Sequence, residues 1–416
     1  MVANSLITVD KIASEALMHL DNELTLAQNV NRDYESDYAG PQKPGATIRI
    51  RRPVRGTVRT GATRVVQDVE EGNTALTVAT QIGADLDFSS VDMTLSIEKF
   101  SERYIKPQMV VIANRIDTLL WTELVNNVNN WVGTPGQTVN SFSDFYLGQT
   151  RLDQLSVPSS DRIAIMSPID HGALLGSQTG LYISDVAKTA LQRGKLGKEY
   201  GGAEIFMSQN VKTHTNGTWS GSSPIAEIDN GTLSVAYSAA KESWSMTIHI
   251  DGLTSTTGTV LIGDVFTIEN VYAVNQITGE TLPHLQMFVV RESVTADGTG
   301  DADVVISPPI ITSGPYKTCN AAAVDGANIV LIGSVNTGYA QNIIMHKNTI
   351  TMATPPMFEP KGAGVSGVSS KTYKGISMRV IEGYDFNNDL PGWRFDLLFG
   401  CKCTEPHLAT KLSGTS

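Results

Sequence analysis

Catalysis and ligand capture need nucleophiles, acids, bases or metal ligands at workable spacing, and this chain offers few. Gly362-Ala363-Gly364-Val365-Ser366-Gly367 matches G-x-G-x-x-G. A dinucleotide site needs a strand before those glycines and a helix after them, so that the pyrophosphate meets the helix N-terminus. Here PPMFEP precedes them and a Ser-Ser-Lys strand follows, so the stretch reads as a flexible turn. Cys401-Lys402-Cys403 is too short for a zinc knuckle, and no second Cys or His pair stands at ligand spacing. Alternate positions on a strand put both thiols on one face, where they act as small hydrophobes. The seven histidines are scattered, and His249, between Ile248 and Ile250, reads as a strand residue. There is no HExxH, no P-loop and no Ser/His/Asp grouping. The expectation is no catalytic residue, no cofactor, no metal and no enzyme.

Charge, in contrast, is concentrated. Lys43, Arg49, Arg51, Arg52, Arg55, Arg59 and Arg64 are seven basic residues with no acid between Gly40 and Gln67. Asp68, Glu70, Glu71, Asp85, Asp87 and Asp92 follow. A basic hairpin and an acidic flank in one chain can pair between copies of that chain. The plainer reading is a solvated hairpin face. Nucleic-acid binding ranks behind both, because the stretch has no aromatic side chain on which a base could stack.

The elements that must position this charge begin with one long helix. Met109, Ile112, Ile116, Leu119, Glu123, Leu124, Val128 and Trp131 recur at steps of three and four, the spacing of one helix face. Arg115, Asp117 and the asparagines fall mostly on the other side. Pro107 suits the first turn and Gly133-Thr134-Pro135-Gly136 ends the element, which predicts a helix over 108–131. An amphipathic helix is predicted over 6–28, β structure over 46–87, a shorter helix over 141–156 and a buried strand in DRIAIMSP. From about Pro224 to Val324, short β runs separated by turns read as an inserted antiparallel barrel or sandwich. The tail supplies at least three more strands. The domain reading is an arm at 1–42, a β-hairpin loop at 43–95, a helix-bearing segment at 96–157, a body at 158–223, the insert at 224–324 and closing strands at 325–416.

Totals bound the class. With 416 residues the chain exceeds what one hydrophobic core fills. No run of about 18 apolar residues occurs, so no membrane association is expected. The first residues lack the pattern of a signal peptide. Three cysteines argue against a disulfide scaffold and fit a reducing cytoplasm. A net charge of −11 argues against a protein whose main task is gripping nucleic acid.

Three stretches carry a family likeness: KTALQRGKLGKEYGGAEIFMSQNVKTHTNGTWSG; GTVLIGDVFTIENVYAVNQITGETLPHLQMFVV; and ITMATPPMFEPKGAGVSG with ISMRVIEGYD and GWRFDLLFGCKC. Together with the order of elements, they resemble the major capsid proteins of tailed bacteriophages, which share the Hong Kong 97-type fold. They are most similar to the coat proteins of Salmonella-type short-tailed phages, the coat protein 5 family, which carry an inserted domain. The resemblance implies an α+β capsid fold and a virion shell protein assembled in the host cytoplasm. It implies hexamers and pentamers of this chain, a scaffolding protein, a portal, a decoration protein and non-specific contact with packaged double-stranded DNA. It also implies that 43–95 lies over a neighbouring subunit. Arg49, Arg51, Arg52, Arg55, Arg59 and Arg64 would then form ion pairs between subunits with Asp85, Asp87, Asp92, Glu98 or Glu102. Charge reversal of Arg51 and Arg52 is expected to block closure and leave the subunit folded. Asp229, Lys241 and Glu242 would mark an insert loop that touches a neighbouring capsomer. A β-rich tail or adhesin protein is the rival reading.

Overall fold

The computed structural model describes residues 9–34, 47–56, 61–64, 66, 70–87, 101–178, 199–220, 226–229, 231–360, 362, 365–373, 375–385 and 390–415. The chain divides into two compact units. The first comprises 1–48, 75–120 and 350–402, the second 49–74, 121–349 and 403–416.

In the first unit, helix α1 (Val9–Glu23) sits on an antiparallel sheet. Ile12, Ala13, Ala16, Leu17 and Leu20 are buried, and their three-and-four spacing is what turns one helix face inward. Neighbouring strands run Ile350–Ala353, Leu390–Cys403, Ile376–Asp385 and Val365–Tyr373, and Thr80–Asp87 pairs with Leu390–Cys403 as well. Asp396 is buried in this sheet. It accepts from Arg379 Nη2 at 2.5 Å and Arg394 Nε at 2.8 Å. Burial alone would raise this carboxyl, but those two guanidinium groups hold it below the usual carboxylate range.

Helix α2 (Lys106–Asn127) is the long helix, about 33 Å at the usual rise. A π-helical turn, Ser101–Ile105, precedes it. Met109, Ile112, Ile116, Leu124 and Val128 are buried as the periodicity requires, whereas Leu119 and Glu123 of the same face are only half-buried. The helix stops four residues short of the predicted 131, because Trp131–Val132 is a strand parallel to Ala409–Leu412. Asp117 also differs from the pattern reading, being buried rather than on a polar face. Its carboxylate accepts the backbone N–H groups of Thr25 (3.2 Å), Leu26 (3.5 Å) and Ala27 (3.2 Å). These are the otherwise orphaned donors that open the short turn Ala27–Asn29.

The second unit holds a mixed sheet and a closed barrel. The sheet order is Trp131–Val132, Ala409–Leu412, Asn342–His346, Arg162–Met166, Glu204–Met207. Helix α3 (Phe142–Gln154) packs on its Ala409–Leu412 strand. Ser141 caps α3 by accepting the Asp144 N–H at 3.0 Å. Gly148 lets the helix approach closely, since a Cβ there would lie 2.6 Å from Ile344 Cδ1.

The barrel runs Val265–Val274, Thr281–Val290, Ala302–Ser307, Met246–Asp251, Ala226–Ile228 and Asn328–Leu331. Its sixth strand lies beyond the predicted limit of 324. Alternate residues fill the interior: Phe266 and Ile268, Phe288 and Val290, Val304 and Ile306, Ile248 and Ile250. Val265 and Val289, pointing outward, pack with Trp131 and Tyr339 and fasten the barrel to the body.

Asp117→Ala should cost about 1–3 kcal/mol, because three backbone donors lose their acceptor. Urea unfolding measures the loss, and faster proteolysis near residues 24–30 should accompany it. An unchanged midpoint with unchanged cleavage would show that the carboxylate does not hold the arm.

Candidate assembly interface

The basic loop is fastened at its base. Thr47–Arg51 and Asn73–Thr77 pair as a two-stranded ribbon. Past it, the Arg52 N–H donates to Gly72 O at 2.9 Å and Arg52 Nε to Thr74 Oγ1 at 3.0 Å. The Arg52 guanidinium lies 4.7 Å over the Trp244 ring, and that of Arg55 lies 5.7 Å over Tyr316. Tyr316 and Tyr237 stack at 3.6 Å, and Tyr237 meets Trp244 edge-on at 6.4 Å. The Tyr316 hydroxyl accepts the Arg55 N–H at 3.2 Å and donates to Glu70 O at 3.1 Å. Two cations and three rings therefore form one ladder, each cation–π contact worth about 0.5–2 kcal/mol. Gly72 makes room for it, because a Cβ there would stand 2.5 Å from Lys241 O and 2.8 Å from Tyr237 Oη.

Burial pulls both guanidinium groups below their ordinary value, and Glu405 opposes that pull. Burial would raise Glu405 in turn. Its bond to His407, followed by the charges of His407, Arg52 and Arg55, holds it lower.

A buried polar hub lies where the chain enters the barrel. Asp264 is wholly buried and accepts from His214 Nε2 (2.8 Å), Gly217 N (3.1 Å), Trp219 Nε1 (2.9 Å) and Leu261 N (2.9 Å). Next to it, Gly263 O accepts from Lys411 Nζ at 3.4 Å, and Val125 O accepts from the same ammonium at 3.1 Å. Val125 belongs to the last turn of α2, where carbonyls lack helical partners and a cation is favoured. The Trp131 ring covers the ammonium at 5.5 Å. Burial, only partly offset by the Asp264 charge, brings Lys411 down to about 7.

The sequence-predicted residues fall into distinct settings. Arg49 and Arg64 are exposed, with no partner among the described residues. Arg51 reaches Glu71 at 3.4 Å, both side chains being exposed. Arg52 and Arg55 are held in the ladder. Asp85 and Asp87 are exposed on Thr80–Asp87, with Asp85 directly across from Arg394. Arg59, Asp92 and Glu98 lie outside the described residues, as does the Glu102 side chain. Asp229 lies 3.4 Å from His249 Nε2, whose Nδ1 is 2.8 Å from Asp303. Glu242 accepts from Asn73 Nδ2 at 3.4 Å, and Lys241 is half-buried beside Gly72. Trp244, Tyr237, Tyr316, His214 and Lys411 escaped sequence reasoning. The basic stretch has no aromatic of its own, and the rings come from 180 or more residues downstream.

Comparison with known proteins decides the family. A family model described as "P22 coat protein - gene protein 5" matches residues 1–414. The chain belongs to the P22 coat protein family. It is a phage coat protein, a structural subunit of a shell. A curated relative, the "Major capsid protein" of Acyrthosiphon pisum secondary endosymbiont phage 1, is 23% identical over 347 residues, covering 81% of this chain and 80% of that one. Among solved structures, one from Mycobacterium phage Che8 has a TM-score of 0.47 at 12% identity, covering 93% of this chain and 90% of that chain. The "Capsid of Ralstonia phage GP4" has a TM-score of 0.45 at 8% identity, covering 90% and 85%. In this coat protein G-x-G-x-x-G runs into the strand Val365–Tyr373, not a helix. Cys401 and Cys403 both lie on the strand Leu390–Cys403, the second of them buried.

Lys411 gives the coat protein a pH dependence whose sign can be derived. The unfolded lysine titrates near its ordinary ~10.4, so between about pH 7 and 10 the unfolded chain binds more protons. Stability from this site therefore rises with pH across that window, and the full burial penalty applies below it. Lys411→Met should lack the slope. Measured by urea unfolding, wild type should gain on the variant by on the order of 1–3 kcal/mol from pH 7 to 9. Parallel curves would show that Lys411 titrates normally.

Proposed function

We propose that copies of this chain assemble as hexamers and pentamers into an icosahedral shell, in the host cytoplasm, around double-stranded DNA touched non-specifically. A scaffolding protein, a portal and a decoration protein are its partners in that reading. The observation that carries it is the family match over 414 residues, which spans both compact units and the barrel. The subunit is read as a structural protein without catalysis. Residues 43–95 act as the extended loop over a neighbour, and 158–223 with 325–350 surround the capsomer centre.

The arginine face then has two tasks. Arg52 and Arg55 fix the loop's base to barrel aromatics within the subunit. Arg49, Arg51, Arg59 and Arg64 supply charge to neighbours, with Asp85, Asp87, Asp92, Glu98 and Glu102 as acidic partners. Asp229, Lys241 and Glu242 belong to the insert's contact with an adjacent capsomer. Ion pairs of this kind set register and specificity more than raw affinity.

Light scattering and negative-stain microscopy test the reading, on the purified chain and on lysates co-expressing its genomic neighbours. Closed shells are expected, and a clean monomer under every condition would overturn it. Arg49→Glu with Arg51→Glu separates folding from closure, because reversing Arg52 would also break its contact with Trp244. An exposed pair such as Arg51–Glu71 contributes about 0–1 kcal/mol, so the double variant should keep the wild-type melting curve. It should nevertheless form no closed shells; normal particles would remove these two arginines from the assembly contacts.

A further inference from the structure

The barrel and α3 meet at a polar seam whose positive charge has no acid beside it among the described residues. Leu282, His284 and Gln286 alternate along Thr281–Val290 and so share one strand face. Leu282 packs against the core cluster to which Phe145, Leu152 and Leu155 belong, and Gln286 shares with Leu155 a cavity of about 20 Å³, so this face is turned towards the α3 side of the core. Arg151 stands one helical turn before Leu155 on the same side of α3. The seam is pinned by Asn275 Nδ2, which donates to Gln154 O at 2.8 Å and Ser156 Oγ at 2.7 Å.

Within the seam, Arg151 Nη1 and His284 Nδ1 are buried, with no hydrogen-bond partner among the described residues. Burial brings the Arg151 guanidinium down to about 10, with no carboxylate near enough to offset it. Burial, and then the Arg151 charge, pushes the His284 imidazole down to about 4. A buried cation without a counter-charge is costly, and the group that best satisfies a guanidinium fork is a planar or tetrahedral oxyanion.

We propose that Arg151 and His284 form an oxyanion site between α3 and the barrel hairpin. The oxyanion is either a free phosphate-like ion or a carboxylate presented by a second copy of this chain. The Arg151 fork supplies the charge and paired donors. His284 supplies a third nitrogen and gains a proton more readily once the anion is bound.

Two arms of one experiment separate the sources. The full-length unassembled subunit is melted in sodium phosphate and in sodium chloride of equal ionic strength, beside Arg151→Gln. A free-anion site predicts that phosphate raises the wild-type Tm by about 2 °C beyond chloride and leaves the variant unmoved. Cryo-electron microscopy of wild-type shells forms the other arm, and it stays decisive if the variant fails to fold. A site filled by a neighbour predicts a flat phosphate melt and an Asp or Glu of the adjacent copy within about 4 Å of the Arg151 guanidinium.

A flat melt together with an Arg151 that meets neither anion density nor a carboxylate in the shell would overturn the proposal. The neighbour source rests on the shell-building reading, whereas the phosphate melt does not. A subunit that never assembles and shows a flat melt overturns both; shells with an unaccompanied Arg151 overturn the site alone.

Discussion

The second unit depends on a carboxylate that has no water to speak to. Asp264 is wholly buried, and a charge in that position is tolerated only when its lone pairs are filled. Here they are filled by His214, Gly217 and Trp219 from the chain entering the barrel, and by Leu261 from the turn itself. Those donors have little freedom to leave, since each would orphan the anion. The neighbouring carbonyl, that of Gly263, carries the constraint onward to Lys411, and Lys411 carries it to the last turn of α2. Three distant parts of the sequence, around 125, 214–264 and 411, are thus fixed by two opposite charges buried close together.

The loop ladder rests on a requirement of its own. A cation–π contact is worth little unless the ring is already in place, because ordering two side chains consumes most of the gain. Trp244 and Tyr316 are buried, and Tyr237 stacks flat on Tyr316. Arg52 and Arg55 lie over two of these rings. The charge of the basic stretch is therefore divided by burial. The half-buried arginines act within the subunit, and the exposed ones remain available to a neighbour.

Periodic and alternating features were legible in the sequence. The apolar face of α2, the amphipathic arm, the buried strand Arg162–Met166 and the alternation of barrel residues all follow from spacing, which local physics enforces. Failures occurred where a polar residue serves a distant partner. Asp117 sits among residues that pattern as solvent-facing, yet three backbone N–H groups from residues 25–27 draw it inside. Lys411, in a short terminal strand, looks like an ordinary surface lysine until the helix end beneath it is known. The aromatic partners of the basic loop are invisible in the sequence for the same reason: the stretch has no rings of its own, and the fold delivers them from elsewhere. Boundaries slipped similarly. Trp131 fits the helical face by spacing, but pairing with Ala409–Leu412 claims it for a strand.

Chain connectivity gives these distant contacts their weight. Both compact units are assembled from three separate segments, so neither is complete until residues near the C-terminus arrive. The strand Ala409–Leu412 is buried along its length and lies between Asn342–His346 and Trp131–Val132 in the body sheet. It therefore joins two strands that would otherwise have no common neighbour, and its one charged residue caps α2. The barrel is different in kind, because its six strands all fall within 226–331 and close on one another. Local closure lets the barrel stand as a finished surface, whereas the body sheet is held by its last strand. The residues that connect the two, Asp264 and Lys411, accordingly lie where the barrel's first long strand begins and where the body's last strand runs.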